Sequence, residues 1–150
     1  MSQPHQEPAP QAALDTVFEL ASRLADLMRG TLAERGLTPG RAEALLVVHQ
    51  HGPMLQRALS EALQCTPRHV TALVDVLEEQ GWVTRRPHPT DRRATLVALT
   101  ERGTATAAQL AREREEGARA LFGDIPAADL RTFVRVAEQV RARLPDASGS

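Results

Sequence analysis

Residues 66–103 have the sequence TPRHVTALVDVLEEQGWVTRRPHPTDRRATLVALTERG, in which a helical pattern gives way to a hairpin pattern. Thr66 and Pro67 form a helix start, because a threonine oxygen can accept an unpaired amide and proline costs nothing at the first helical position. Apolar residues then recur at the three- and four-residue spacing of one helix face, namely Val70, Leu73, Val74 and Leu77. Gly81 predicts the end of this helix.

The period of the apolar residues changes after Gly81. Residues 82–86 and 94–99 are β-branched or alternating, and they flank the sequence PHPTDR at 87–92, which cannot continue a helix. This pattern predicts a β-hairpin with a polar tip. Residues 82–94 hold four arginines and one aspartate, so the hairpin carries an excess of three positive charges. Thr100 then predicts the start of another helix.

Three helices are predicted upstream of this stretch. Residues 55–63 form a short helix, and its tight connection to the helix at Thr66 predicts a helix-turn-helix. Thr38 and Pro39 repeat the start signal for a helix that runs to about His51. A long amphipathic helix precedes it, with apolar residues from Leu14 onward and a stop at Gly36.

Two more helices are predicted downstream, one after Thr100 and one that begins at Pro126. The predicted fold class is therefore mainly α with a small β-hairpin wing. We expect one domain at 11–144, with a winged helix-turn-helix at 39–100 and dimerisation helices at 11–36 and 101–144. The apolar faces of those outer helices exceed what one small winged domain can cover, so they predict an obligate homodimer. Residues 1–10 and 145–150 are polar and aperiodic, which predicts disordered tails.

Composition excludes several classes of protein. The 150 residues carry 18 basic and 19 acidic side chains, a balance that fits one ordinary domain and argues against a histone-like coat for nucleic acid. The single cysteine forms no internal disulfide, and no Cys/His spacing fits a zinc site. No apolar stretch approaches the about 20 residues of a membrane helix, so we expect a cytoplasmic protein without a membrane partner. No catalytic motif is recognisable, so we expect no enzyme activity, cofactor or metal.

Three short motifs within residues 63–103 form a specific pattern. They are Leu73-Val74-Asp75 in the predicted helix, Asp91-Arg92-Arg93-Ala94 in the wing, and Leu99-Thr100-Glu101 followed by Gly103. In these motifs the chain resembles the MarR (multiple antibiotic resistance regulator) family of bacterial transcription factors. The resemblance implies a winged helix-turn-helix in a homodimer whose first, fifth and sixth helices intertwine. It also implies a transcriptional regulator, most often a repressor, that binds a pseudo-palindromic operator in double-stranded DNA and responds to a small organic effector.

The helix that starts at Thr66 is the predicted recognition helix. Its apolar stripe must face the domain, which leaves the other side for the major groove, namely Thr66, Pro67, Arg68, His69, Thr71, Ala72 and Asp75. Arg68 can contact a guanine edge or a phosphate, and Thr71 can meet a thymine methyl or a phosphate. Ala72 and Val76 stand where family members often carry arginine, so some backbone contacts are missing. The alternative interpretation is a solvated helix with an ordinary cap.

The wing supplies the second predicted group of DNA contacts, which comprises Arg85, Arg86, Asp91, Arg92 and Arg93. A guanidinium at a hairpin tip can enter a narrow minor groove, where it reads DNA shape more than base identity. The resemblance implies this role for Arg92 and Arg93, with Asp91 orienting one of them by a paired hydrogen bond. Alternatively, Asp91 and Arg93 only pin the turn together.

Three further residues are candidates for regulation. Cys65 precedes the Thr66 cap, where a helix N-terminus favours a reactive thiol, but a small buried residue is the better interpretation. Trp82 can cover the seam between wing and recognition helix or line an effector pocket, and His49 is a second candidate effector contact. We expect the effector to be anionic because every basic residue is arginine, which pairs well with carboxylates.

A second function from a different class stays open. The missing helix arginines would permit a winged-helix protein-interaction module that has lost sequence-specific DNA binding. The sequence Asp91-Arg92-Arg93 argues against this alternative, because a protein-binding wing needs no double arginine at its tip.

Overall fold

The computed structural model of the chain describes residues 9–145. The chain forms two compact units, one up to Gly40 and the other from Arg41 onward. The first unit consists mainly of helix α1, Pro10–Ala33, with a proline in its first turn as expected for a helix start. Gly36 follows with a positive φ of 70°, which ends the helical path as predicted. The predicted tails lie outside the described residues except at Ala9, Pro10 and Pro145.

The remaining elements follow in the predicted order. They are α2 (Pro39–His51), β1 (Met54–Leu55), α3 (Gln56–Ala62), α4 (Pro67–Glu79), β2 (Val83–Pro87), β3 (Thr95–Leu99), α5 (Glu101–Phe122) and α6 (Ala127–Arg141). The prediction of a mainly helical fold with a β-hairpin wing is confirmed.

The wing is part of a three-stranded antiparallel sheet in the order β1-β3-β2. β2 and β3 form the predicted hairpin, with Val83 opposite Leu99 and Pro87 opposite Thr95. Strand β1 was not predicted, since two residues show no period that a sequence pattern can reveal. By pairing with β3, it joins the segment before α3 to the wing.

The core of the second unit lies between α2, α3, α4, the sheet and the start of α5. Its fully buried side chains include Leu45, Leu59, Val70, Val74, Leu77, Val83 and Val97. Val70, Val74 and Leu77 belong to the apolar stripe predicted for α4. Ala107 and Leu110 of α5 are also buried. The core therefore fixes which side of α4 remains exposed.

Both units also expose large apolar side chains. In α1 they are Leu14, Val17, Phe18, Leu20, Leu27 and Met28, and in the C-terminal part they are Leu121, Ile125, Phe133, Val134, Val136, Val140 and Leu144. Helix α6 has no buried residue at all. Such surfaces are uncommon on a protein that stays monomeric. No helix among the described residues is long and apolar enough to span a membrane.

Candidate nucleic-acid interface

Helix α4 begins with the cap that its sequence predicts. The Thr66 hydroxyl oxygen accepts a hydrogen bond of 3.1 Å from the His69 backbone amide, and Pro67 occupies the first turn. The preceding turn contains Gln64 in a left-handed conformation at φ 52°. Ser60 closes this turn, because its hydroxyl donates to the Cys65 carbonyl oxygen at 2.6 Å. The N-terminus of α4 is thus held in a defined position on the second unit.

The exposed side of α4 is the one that the sequence predicts. Arg68, His69, Thr71, Ala72 and Asp75 are all exposed. Within residues 9–145, the guanidinium of Arg68 has no ion-pair or hydrogen-bond partner. A free cation beside a helix N-terminus strengthens the positive potential of the helix dipole at that end.

Arg85 and Asp75 are paired with each other. The Arg85 guanidinium lies 2.6 Å from an Asp75 carboxylate oxygen and 3.1 Å from one of Glu78, and it also donates to the Gln56 side-chain oxygen. The Arg85 backbone amide donates to Glu78 as well. These contacts join strand β2 to helices α3 and α4, and the role of Arg85 and Asp75 as DNA contacts stays a prediction.

The Thr71 hydroxyl is similarly engaged. It donates to the Pro67 carbonyl oxygen at 2.8 Å and accepts from the Gln56 side-chain amide at 2.9 Å. Its only donor is therefore engaged and is not free for a phosphate oxygen. Of the two contacts predicted for Thr71, apolar contact with a thymine methyl fits this geometry better than a phosphate bond.

The wing tip is folded by hydrogen bonds to the backbone. Asp91 accepts from the Arg93 backbone amide at 3.0 Å, so its carboxylate does not orient a guanidinium through a paired hydrogen bond, which corrects that expectation. The alternative, in which the aspartate pins the turn, is the one observed. Arg92 and Arg93 remain exposed, and within the described residues their guanidinium groups have no partner.

His88 is a wing residue whose role the sequence did not indicate. Its Nδ1 accepts from the backbone amides of Thr90 at 3.2 Å and Asp91 at 3.1 Å. Its own backbone amide donates to the Ala94 carbonyl oxygen, which closes the turn across its base. The sequence did offer one signal for this role. A histidine two residues before a Thr-Asp pair is close enough for its side chain to accept hydrogen bonds from the backbone amides of the turn.

The structure places Trp82 and His49 apart. Trp82 is buried under the guanidinium of Arg102, which lies 3.7 Å from the ring centroid. It is not among the residues that line the cleft containing His49, whereas Arg86 is. Arg86 thus lies in a cleft of about 290 Å³ with His49. Cys65 is half-buried and has a free thiol.

Comparison with known proteins agrees with this fold. Residues 37–95 match the model of the MarR family. The uncharacterized HTH-type transcriptional regulator YdgJ of Bacillus subtilis is 27% identical over 106 residues, which are 71% of this chain and 65% of YdgJ. The HTH-type transcriptional repressor MdtR of the same organism is 26% identical over 93 residues, 62% of this chain and 58% of MdtR. The chain thus spans about three fifths of the length of these relatives.

Among solved structures, Streptococcus pneumoniae FabT in complex with DNA superimposes with a TM-score of 0.80 at 14% identity. The superposition covers 88% of this chain and 94% of FabT, so it shows the same fold. YdgJ and MdtR are both named as transcriptional regulators. The winged segment at 37–95 thus matches the model of the MarR family, and the chain has the fold of FabT.

Proposed function

We propose that this protein is a homodimeric transcriptional repressor of the cytoplasm that binds a pseudo-palindromic operator. Helix α4 enters the major groove and the wing tip enters the minor groove. The observation that carries this proposal is a difference between the arginines of α4 and the wing, of which some are paired within the fold and others are not. Arg85 is neutralised within the fold, whereas Arg68, Arg92 and Arg93 are exposed without partners among the described residues.

Free arginines on two exposed elements suit duplex DNA. Phosphates attract them, and Arg68 at the start of α4 can also donate two hydrogen bonds to a guanine edge. The wing arginines project from a short turn, which matches the narrow minor groove better than the wide major groove. A protein-binding surface would not require such unpaired charges.

Dimerisation is supported by the exposed apolar side chains of α1 and α6. A second copy of the chain would remove these surfaces from water, which gives the association its driving force. Two recognition helices about 34 Å apart would then meet successive major grooves, and this spacing implies an operator of two half-sites. The name of MdtR as a repressor supports repression as the mode of action.

The proposal also includes control of DNA binding by a small ligand. A small organic anion that prefers a different spacing of the recognition helices would compete with DNA by shifting the population of dimer conformations. The arginine-only set of basic residues favours a carboxylate as the charged part of this effector.

The test is selection of genomic DNA fragments by the purified protein, followed by sequencing and by binding titrations at several salt concentrations. We expect enrichment of a pseudo-palindromic sequence and an affinity that falls steeply with salt. The double variant Arg92→Ala and Arg93→Ala serves as the matched protein control and should lose most of the enrichment. Recovery without sequence preference and without salt dependence would favour the protein-interaction module instead.

A further inference from the structure

We propose that His88 positions the wing arginines for DNA, and that it does so only while its imidazole ring is neutral. Protonation of His88 therefore loosens the turn at 91–94 and weakens DNA binding in mildly acidic solution. The consequence for DNA rests on the proposed function, whereas the effect on the turn does not. The inference is carried by three hydrogen bonds to one nitrogen of the His88 ring.

The partners of His88 determine where its ring carries a proton. The backbone amides of Thr90 and Asp91 lie 3.2 and 3.1 Å from Nδ1, and the Thr90 hydroxyl lies 3.2 Å from the same atom. A backbone amide can only donate, so Nδ1 must be an unprotonated acceptor and the neutral ring has its proton on Nε2. An imidazolium donates from both nitrogens, so it can accept neither amide.

These bonds hold the first residue of the turn that presents the arginines. The Asp91 carbonyl oxygen accepts from the Ala94 amide at 3.1 Å, and the Asp91 carboxylate accepts from the Arg93 amide at 3.0 Å. Arg92 and Arg93 are thus the two central residues of a turn that begins at Asp91. His88 directly precedes this tip, so its ring ties the start of the turn to the end of the hairpin strand.

The charged groups around the wing offer an imidazolium no replacement for these bonds. Strand β3, which pairs with β2, has no titratable side chain. The acids of α4 that face β2 are both bound to Arg85, namely Asp75 and Glu78. The Asp91 carboxylate is bonded to the Arg93 amide, and among residues 9–145 no carboxylate forms an ion pair with His88. The other charged side chains of residues 83–94 are arginines, which repel a further positive charge.

The expected direction is opposite to the usual effect of acid on DNA binding. A protonated histidine near DNA adds positive charge, which strengthens attraction to phosphates. His69, exposed in the first turn of α4, is expected to act in this ordinary way. Protonation of His88 instead releases the turn that carries two arginines. Histidine side chains change charge between about pH 5 and about pH 8, so both effects fall in the same range.

The test compares wild type with His88→Asn. The side-chain oxygen of asparagine is attached to Cγ, as Nδ1 is in histidine, so it can accept the same two amides at every pH. The other histidines remain in both proteins, so their titration cancels in the comparison. His88→Ala is the second variant, and it lacks the acceptor at every pH.

The first readout is NMR of the full-length protein without DNA. At about pH 8, long-range proton–nitrogen spectra should show the His88 ring with its proton on Nε2. On acidification to about pH 5.5, the amide signals of Thr90 and Asp91 should shift together with the ring signals in wild type and stay in place in His88→Asn. A proton on Nδ1 at the higher pH, or equal amide shifts in both proteins, would overturn the proposal.

The second readout is affinity for the selected operator duplex at constant ionic strength. Wild type and His88→Asn should bind alike at about pH 8, and at about pH 5.5 wild type should bind about tenfold more weakly, the size expected for the loss of two hydrogen bonds. His88→Ala should bind about tenfold more weakly than His88→Asn at both pH values. An affinity of wild type that follows that of His88→Asn at every pH would contradict the positioning role.

The two readouts separate this inference from the proposed function. If the turn amides follow the His88 ring but no duplex binds, control of the turn by His88 stands and the proposed function fails together with the consequence for DNA. If the duplex binds with sequence preference and all three proteins share one pH profile, the proposed function stands and His88 does not position the arginines.

Discussion

Arg85 on β2 and Asp75 on α4 form an ion pair of 2.6 Å that ties the wing to helix α4. The Arg85 side chain is 25% exposed and that of Asp75 is 60% exposed, so the pair lies at the edge of the interface between the two elements. Glu78, Gln56 and the Thr71 carbonyl oxygen also accept from the same guanidinium. The Arg85 side chain thus joins strand β2 to helix α4.

Replacing this guanidinium should destabilise the fold. We expect Arg85→Met to lower the free energy of unfolding by about 1 to 2 kcal/mol, because it leaves two carboxylates without their cation, with part of the effect screened by solvent. In a double-mutant cycle with Asp75→Asn, the coupling should be about 1 kcal/mol. Urea unfolding at fixed protein concentration measures both.

The control for this cycle is Arg57→Met. Arg57 pairs with Glu61 within one helix, and their side chains are 87% and 68% exposed. Its change in stability should stay within about 0.5 kcal/mol. Equal effects of Arg57→Met and Arg85→Met would show that the Arg85 network contributes no more than a surface ion pair.

The wing arginines should contribute to DNA affinity but not to stability. Arg92→Ala and Arg93→Ala remove exposed groups without partners among the described residues, so unfolding should change by less than about 0.5 kcal/mol. Each should reduce the slope of log affinity against log salt by about one unit. Anisotropy titrations at several salt concentrations provide the measurement, with Arg23→Ala in α1 as the charge-matched control. An unchanged slope in the double variant would rule out wing contacts with DNA.

Arg68 should affect sequence preference more than Arg92 does. If Arg68 contacts a guanine edge, Arg68→Ala should reduce discrimination among operator variants by about 1 to 3 kcal/mol. Arg92→Ala should instead weaken binding to all variants alike. Competition binding with single-base operator substitutions measures the difference. A uniform loss in Arg68→Ala would assign Arg68 to a phosphate.

Gly103 allows the start of α5 to lie close to the backbone of Trp82, which follows α4. A Cβ at this position would lie 1.9 Å from the Trp82 carbonyl oxygen, and that backbone cannot yield without moving Thr100, whose amide and hydroxyl both bond to it. We expect Gly103→Ala to destabilise the protein by about 2 kcal/mol or more.

Gly117 in the same helix is the matched control for Gly103. A Cβ added to Gly117 would meet no atom within 4 Å, so Gly117→Ala should leave stability unchanged or raise it by up to about 1 kcal/mol through helix propensity. Thermal unfolding of both variants measures the difference in stability. A tolerated Gly103→Ala would contradict the close packing of α5 on Trp82.

The apolar face of α6 should mediate self-association. Phe133 is 49% exposed although it contacts Phe122, with 5.9 Å between ring centroids. Phe133→Glu should abolish the dimer in sedimentation velocity at micromolar concentration, because it places a charge on the apolar face. Thr132→Glu introduces the same charge outside that face and should leave the dimer intact. A stable, folded wild-type monomer would refute the dimer proposal.

The sequence by itself determined the order and type of the main elements, because the signals for these are local. Apolar spacing predicted which side of α4 would be buried, Thr66 and Thr100 capped the helices that they were expected to start, and Gly36 and Gly81 ended helical segments with positive φ. Each signal acts within one or two helical turns, so it can be recognised without knowing which other elements are nearby.

Only the tertiary structure decided the surroundings of the wing arginines. The sequence treated Arg85, Arg86, Arg92 and Arg93 as one basic group, but sheet alternation turns Arg85 toward α4 and Arg86 toward the cleft. Arg92 and Arg93 in the turn are exposed and have no partner among residues 9–145. The strand register and the packing of α4 on the sheet set these surroundings, and both depend on contacts between distant parts of the chain. The sequence shows which residues are charged, whereas the packing of whole elements decides which partner each charge has.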